Sequence, residues 1–460
     1  MSKFNNPNAF NSAIATQPPL VLSPAVEPAA PVAAAEARVP AVAHSSALQR
    51  LGLVLLSTYI LSMYANDLGF RFFHTKTPLS LITEFSLPFV LLICGTPFRA
   101  LRTSAGKMWV IFMAWLLLDI PFSVWRTGSI MALLDYGVKA WPQLLYIGAF
   151  VVTIASLRRF MYVQIASAML LLVFCYAFGQ VAGVDRFDVE GSVFFSNANE
   201  LAMRILFGVA AMMLVIIRGK LVVRVLAVGV IAVSVMYVLK TGSRAGFLGG
   251  IALFLFVAIA SKHRVPIIAL GVLTSILGFL TISDATRQRL ALAFSEKTIY
   301  EAKTPEEISA IESRMQRQQL LQQSIQEAFT HPLFGVGPAQ FAVAVSGDAE
   351  KKGRHAAWLG THNSYTQVAC ECGFPAFICY MGVLVFSFRT NYRLLKVTRG
   401  SEKYKDMYAL SFSLMGFLVV YAVCTFFDHI AYSELLAMLG GCSITLKLLA
   451  QEAGVIPQTA

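Results

Sequence analysis

The chain has 460 residues, 57% of them hydrophobic and only 13% charged, about half the charged fraction of a soluble domain. That composition excludes an ordinary water-soluble enzyme. A net charge of +12 would suit a nucleic-acid binder if the cations formed one patch. They instead recur in alternate short loops between apolar stretches, the pattern that orients membrane proteins, so no nucleic-acid partner is expected.

Residues 1–46 are rich in Ala, Pro, Ser and Asn and poor in residues that build a core, so a disordered cytoplasmic tail is expected. The segment lacks a basic region leading into a short apolar run and a small-residue cleavage site, so it is not read as a signal peptide. Apolar stretches of roughly 18–22 residues follow, each long enough to cross the hydrocarbon as a helix. They give about twelve expected spans, at 48–66, 78–96, 107–125, 140–157, 160–182, 200–217, 221–239, 244–261, 265–282, 362–388, 406–427 and 430–449. The fold class is therefore an all-α polytopic membrane protein. Nine transmembrane helices occupy 47–282 and three occupy 362–450, with a long loop at 283–361 and a short cytoplasmic tail at 451–460. The seven cysteines all fall in apolar segments without redox or zinc spacing and read as small buried hydrophobes.

Arg99, Arg102 and Lys107, then Arg158 and Arg159, then Arg218, Lys220 and Arg224, then Lys262 and Arg264 all fall on one side, as does the basic run from Arg389 to Lys405. The opposite loops are poorer in cations, and one carries Asp185, Asp188 and Glu190. Both termini are expected in the cytoplasm, and loop 283–361 on the other face, the periplasm of a Gram-negative cell. Within that loop Thr304-Pro305-Glu306-Glu307 predicts a helix start, with Thr as N-cap, Pro at the first position and Glu307 completing a capping box. Ile308, Ile311, Met315, Leu321, Ile325 and Phe329 recur at helical spacing on one face, and His331-Pro332 followed by Gly335-Val336-Gly337-Pro338 ends the helix. An amphipathic helix lying on the bundle or on the membrane surface fits this pattern.

Several cations lie on the wrong side for topology. Lys240 and Arg244 occupy the turn Lys240-Thr241-Gly242-Ser243-Arg244-Ala245-Gly246, whose small residues let a ligand approach the backbone. Arg204 is one turn into its span; four residues from Glu200, it reads either as an anion ligand or as that residue's ion-pair partner. Lys240 reads either as a ligand or as an interfacial anchor. Arg314 falls on the apolar face of the loop helix, where a cation needs a partner; Arg317, at that face's edge, reads as solvated or headgroup-bound. These cations would converge near His362, at the start of its span within Thr361-His362-Asn363-Ser364-Tyr365. An ionisable residue at such a border is a candidate for function, and histidine suits a general base near neutral pH. Arginine matches phosphate geometry, and the simplest anion at this rim is a lipid-linked phosphate or pyrophosphate. Asn363, Gln367 and Glu371 form a polar stripe, the last two expected in interhelical hydrogen bonds. No Asp-x-Asp and no histidine pair with ligand spacing occurs, so no metal or other cofactor is expected.

Phe195-Ser196-Asn197-Ala198-Asn199-Glu200-Leu201-Ala202, Thr241-Gly242-Ser243-Arg244-Ala245-Gly246, His331-Pro332-Leu333-Phe334-Gly335-Val336-Gly337, and His362-Asn363-Ser364-Tyr365 with Glu371 and Gly373 occur in that order. This ordered set, over roughly 195–375, resembles the O-antigen ligase and polymerase superfamily. The resemblance implies a GT-C-type, metal-independent, inverting glycosyltransferase of the bacterial inner membrane, working at its periplasmic face. The donor would be a glycan on undecaprenyl pyrophosphate, and the acceptor a hydroxyl of lipid A–core in a ligase or of another lipid-linked glycan in a polymerase. His362, Arg244 and Arg314 match the family's catalytic histidine and arginines, here with Ser-Arg-Ala-Gly in place of a Ser-Arg-Gly-like turn. Arg204, Lys240, Ser243, Asn363 and Tyr365 are the expected substrate-binding residues around them. A transporter of lipid-linked glycans or small anions is the reading from another class; it requires polar residues at mid-membrane depth and a repeat between halves, and no such repeat is visible in the sequence.

Overall fold

The computed structural model describes residues 46–75, 77–94, 97–182, 186–189, 197–261, 264–281, 287, 299–301, 304–351 and 358–458. The expected N-terminal tail and much of 283–303 lie outside these residues.

In chain order the helices are α1 (Ala47–Phe73), α2 (Pro78–Cys94), α3 (Ser104–Asp119), α4 (Arg126–Lys139), α5 (Gln143–Phe150), α6 (Ile154–Phe178), α7 (Ala198–Arg218), α8 (Leu221–Lys240), α9 (Arg244–Ala260), α10 (Arg264–Thr281), α11 (Pro305–Thr330), α12 (Phe341–Lys351), α13 (Ser364–Thr398), α14 (Lys405–Cys424) and α15 (Glu434–Glu452). Between α6 and α7 runs an antiparallel hairpin, β1 (Gly179–Ala182) and β2 (Arg186–Val189), with Gly179 opposite Val189. Among the described residues eight helices are long and apolar enough to cross a membrane: α1, α3, α6, α7, α8, α13, α14 and α15. α2, α9 and the apolar part of α10 are shorter. The chain is a multi-pass all-α membrane protein.

The span expected at 140–157 is not one helix. Val151 leaves helical geometry after the short α5, and Thr153 caps a new helix, its hydroxyl accepting from Ser156 N while Ser156 Oγ accepts from Thr153 N. This local capping box outcompetes the apolar run, which hydropathy reads as continuous. The following span begins earlier than expected, at Ile154, and stops at Phe178, where the hairpin takes over.

α7, α9 and α14 form the centre, with α13 against α3 and α15 against α5. The helices approach closely over small residues: a Cβ on Gly246 would lie 2.5 Å from the Ala202 Cβ, the packing that apolar surroundings favour where burial alone drives no association. Trp109, Phe112, Tyr380, Tyr421 and Phe417 fill the interior. All seven cysteines are free.

α13 is broken at Gly373, whose φ is +75°. Phe374 N donates to Pro332 O at 2.8 Å instead of continuing the helix, and Pro375 has no N–H to give. The Cys370 and Glu371 carbonyls accept instead from Val336 N (2.9 Å) and Gly337 N (2.8 Å), and Trp115 Nε1 donates to Cys372 O at 3.1 Å. The Glu371 carboxylate adds Ala339 N (3.0 Å), Phe341 N (3.3 Å) and the Tyr432 hydroxyl (2.8 Å). The segment after α11 is thus strapped into the break. A Cβ at Gly373 would lie 1.9 Å from Leu333 O. Gly373→Ala therefore combines a clash with an unfavourable φ, and we expect it to lower the melting temperature of the purified protein by about 5 °C or more. An unchanged melting curve would show that the strap contributes nothing to stability.

Candidate functional site

The starts of α7, α9, α13 and α15 and the ends of α8 and α14 meet at one end of the bundle, and polar bonds tie them together. Ser243 caps α9, accepting from Gly246 N at 3.0 Å and donating to Asn199 Oδ1 on α7 at 2.7 Å. This places Arg244 as the first residue of α9, and its Nη2 donates to Ala310 O of α11 at 2.9 Å.

α11 starts where the sequence predicts, with the Thr304 hydroxyl accepting from Glu307 N at 3.2 Å. Its buried face coincides with the expected one only in part. Ala310, Ile311, Leu320, Ser324 and Ala328 are buried, whereas Ile308, Met315, Ile325 and Phe329 are exposed. Small residues let the helix lie close on α13, where Ser324 Oγ donates to Thr366 Oγ1 at 2.9 Å. Arg314 and Arg317, three residues apart, share the stripe that holds Ala310, Leu321 and Ser324.

His362 immediately precedes α13. Asn363 is the cap, its Oδ1 accepting from Tyr365 N (2.9 Å) and Thr366 N (3.0 Å), and Thr361 Oγ1 donates to Asn363 O at 3.0 Å. These bonds hold His362 at φ +49°, a left-handed conformation that few non-glycine residues adopt.

A cavity of about 260 Å³ opens between these elements. Arg244, Arg314, Arg317, Gln318, Thr361, His362 and Asn363 form its polar wall, and Phe247, Leu248, Leu321, Phe426 and Phe427 its apolar one. Burial, the neighbouring His429 and the cation of Arg317 press the His362 pKa down to about 4, so the imidazole is neutral. Burial lowers the pKa of Arg317.

Of the residues singled out in the sequence, Arg244, Arg314, His362 and Asn363 meet at this cavity. The other four do not line it. Arg204 is buried at 7% exposure, bonded to Glu200 (2.8 Å) and to Glu434 of α15 (3.0 Å), with the Tyr64 ring beneath it. Lys240 lies over the Tyr237 ring. The Ser243 hydroxyl is committed to its cap and to Asn199, and the Tyr365 hydroxyl donates to Ala422 O at 2.8 Å. Gln367 and Glu371, expected in bonds between helices, instead accept from the turn before α15, Gln367 Oε1 from Ala431 N at 3.2 Å and Glu371 from the Tyr432 hydroxyl.

Sequence reasoning missed two features. Arg317 lines the cavity rather than facing solvent; its spacing from Arg314 was the available signal. The pair Asp428-His429, in the turn between α14 and α15, comes up against His362, with imidazole centroids 4.9 Å apart and rings at 84°. The signal there was an ionisable pair between two apolar spans. One ligand atom each from His362, Asp428 and His429 lie within 4.8 Å of one another, a set able to approach a cation, although spacing along the chain showed no histidine pair. One carboxylate beside a cavity with three guanidinium groups gives the region the charge balance of an anion site.

Arg204→Ala would leave the buried Glu434 and the half-buried Glu200 without their cation, which costs about 3–5 kcal/mol. The expected result is a melting temperature lower by several degrees, whereas Arg317→Ala, at the cavity wall, stays within about 2 °C of the parent. Equal stability of the two variants would contradict this placement.

Residues 229–381 match the family model described as O-antigen ligase. The matched stretch includes Arg244, Arg314, Arg317 and His362 but neither Arg204 nor the Asp428-His429 pair. No curated protein matches the chain. Over this third of the chain the protein is similar to the O-antigen ligase family, in agreement with the resemblance that the ordered motifs carry.

Proposed function

We propose that the protein is an O-antigen ligase-like glycosyltransferase that moves a glycan from undecaprenyl pyrophosphate to a hydroxyl of lipid A–core at the periplasmic face of the inner membrane. The observation that carries this reading is the single cavity in which three arginines and a neutral histidine face an apolar wall. Guanidinium groups suit a diphosphate, and the phenylalanine and leucine side chains suit the first isoprene units of its lipid.

In the proposed step His362 accepts the proton of the acceptor hydroxyl as that oxygen attacks the anomeric carbon. The new C–O bond forms on the face opposite the diphosphate, the old C–O bond breaks, and its electron pair leaves with undecaprenyl pyrophosphate. The configuration therefore inverts. Arg244, Arg314 and Arg317 neutralise the charge that builds on the leaving group, commonly the largest catalytic contribution in a dry site. The step draws on no metal. Arg204 and Lys240 act in this reading from outside the cavity, Arg204 by holding α7 and α15 together.

Purified protein with lipid-linked donor and lipid A–core tests the assignment. His362→Ala is expected to lose transfer by about a hundredfold or more, and Arg244→Ala to lose turnover, donor affinity or both. Full transfer by His362→Ala would remove the base, and an unaltered Arg244→Ala would remove the diphosphate clamp. In cells, deletion should leave lipopolysaccharide without long chains while lipid-linked polymer accumulates; a core bearing one repeat unit would mean a polymerase instead.

The pH profile follows from the lowered pKa. Because kcat/KM reports the free enzyme, its acid limb should fall near pH 4 and the profile stay flat from about pH 5.5 to 7.5. Bound diphosphate favours the imidazolium, so the kcat limb should lie at higher pH than the kcat/KM limb. A kcat/KM midpoint at histidine's ordinary 6.5 would contradict the neutral, buried base.

A further inference from the structure

His362 carries two costs that its fold does not need. It holds a left-handed φ of +49°, and its Nδ1 is buried without a hydrogen-bond partner, a cost to stability for a polar group. Unrelieved strain and an orphaned polar atom together point to a functional constraint.

The Asp428-His429 pair beside this imidazole, with ring centroids 4.9 Å apart, is built as carefully as the cavity. Asp428 is 2% exposed. Its carboxylate accepts from His429 N at 3.0 Å and from Asn197 Nδ2 at 3.4 Å. Its carbonyl accepts from Ser364 Oγ at 2.8 Å, and Ile430 N donates to that same hydroxyl at 2.9 Å. The Asp428–Ile430 turn is therefore stitched to the first residue of α13, two positions beyond His362. Gly360 seats the His429 ring from the other side: a Cβ there would lie 2.6 Å from its Cδ2. His429 Nδ1 is also buried without a hydrogen-bond partner, 3.7 Å from the Asp428 carboxylate. A phenylalanine would fill this place with no orphaned nitrogen. Neither Asp428 nor His429 is part of the cavity lining; they support His362 from beside it.

We propose that His429, seated on Asp428, is a positioning residue that fixes the tautomer of His362: the proton rests on Nδ1, directed at the Asp428-His429 pair, and Nε2 is left to accept the acceptor's proton. One ligand atom from each of the three groups lies within 4.8 Å of the others, a separation that a single water bonded at about 2.8 Å to each side could bridge. A base held by a third group is the general arrangement for histidine catalysis. The charged groups around the pair are Arg317, which acts on His362 and Asp428, and Glu200, which acts on His429.

This inference rests on His362 as the base, so one of its two tests reads the tautomer without activity. In the full-length protein labelled with ¹⁵N-histidine, the His362 signals are those lost in His362→Ala. They should report hydrogen on Nδ1, and His429→Ala should turn this into a mixture with the Nε2–H form. A wild-type signal with hydrogen on Nε2, or one that His429→Ala leaves unchanged, overturns the proposal whatever base the reaction uses. In transfer assays His429→Ala should lower kcat about ten- to hundredfold, with donor KM within about twofold. His429→Gln, which keeps a hydrogen-bonding group at that place, should recover part of the loss. Parent-like turnover of His429→Ala, a loss confined to KM, or equal losses in both variants would overturn it. Should His429→Ala not fold, the wild-type spectrum and the His429→Gln assay still decide.

Discussion

Between Cys370 and Pro375 the longest helix of the bundle gives up its own hydrogen bonding, and another part of the chain supplies what it lacks. An unbroken helix would direct the N–H groups of residues 374 and 375 at the Cys370 and Glu371 carbonyls. One of those donors turns to Pro332 and the other is a proline. Carbonyls in apolar surroundings need partners, and Val336 and Gly337 provide them, Gly335 allowing the approach with φ +62° and no room for a Cβ against Glu371. The C-terminal end of α11 is thereby fixed about two turns along α13, and Ser324 bonded to Thr366 fixes the helix again nearly two turns before that end. What remains is the N-terminal half of α11, carrying Arg314 and Arg317, over the start of α13. The distance between arginines and histidine follows from two attachments on one broken helix.

The same end of the bundle concentrates polar bonds that tie helix starts to one another and to the turn before α15: Arg204 with Glu434, Ser243 with Asn199, Asn197 with Asp428, and Ser364 with the Asp428 carbonyl. Where water is scarce, a displaced polar group has few alternative partners, so such bonds fix how far each helix projects. Close contacts such as Gly246 on Ala202 fix the lateral spacing. Together they hold the rim of the cavity in place while its floor stays apolar.

Much of this was legible in the sequence because it depends on local rules. Apolar length gave most of the helices, and Thr304-Pro305 gave the start of α11. Arg244, Arg314 and His362 stood out as cations and a histidine that topology did not require. What stayed hidden depends on partners far along the chain. Arg204 paired visibly with Glu200 at four residues, but Glu434, 230 residues away, decides its environment. The apolar wheel of α11 captured Ile311 and Leu321 but not Ala310, Ser324 and Ala328, because the close contact with α13 selects small side chains beside the hydrophobic ones. Asp428 and His429 looked like a turn between spans, and no spacing tied His429 to a histidine 67 positions earlier. The break in the 140–157 run failed for a different reason: hydropathy averages over the Thr153 cap that ends it.

A histidine with a pKa near 4 is neutral, as a base must be, but also weak, and the proposed reaction has to reconcile the two. Charge compensation does so. Arg317 and the buried surroundings of His362 both oppose the imidazolium. A diphosphate brings negative charge to the same wall. One net charge about 5 Å from the ring, at an effective dielectric constant near 20, is worth on the order of 3 kcal/mol, about a hundredfold in proton affinity. The base then strengthens when the leaving group is bound and its charge is growing, and it weakens again once the lipid carrier departs. In the proposed reaction the arginines would thus serve both halves: they would bind the leaving group and keep His362 unprotonated until a donor is present. An acceptor that arrives first meets a neutral but feeble base, which favours donor binding before proton transfer and protects the site from protonation between turnovers.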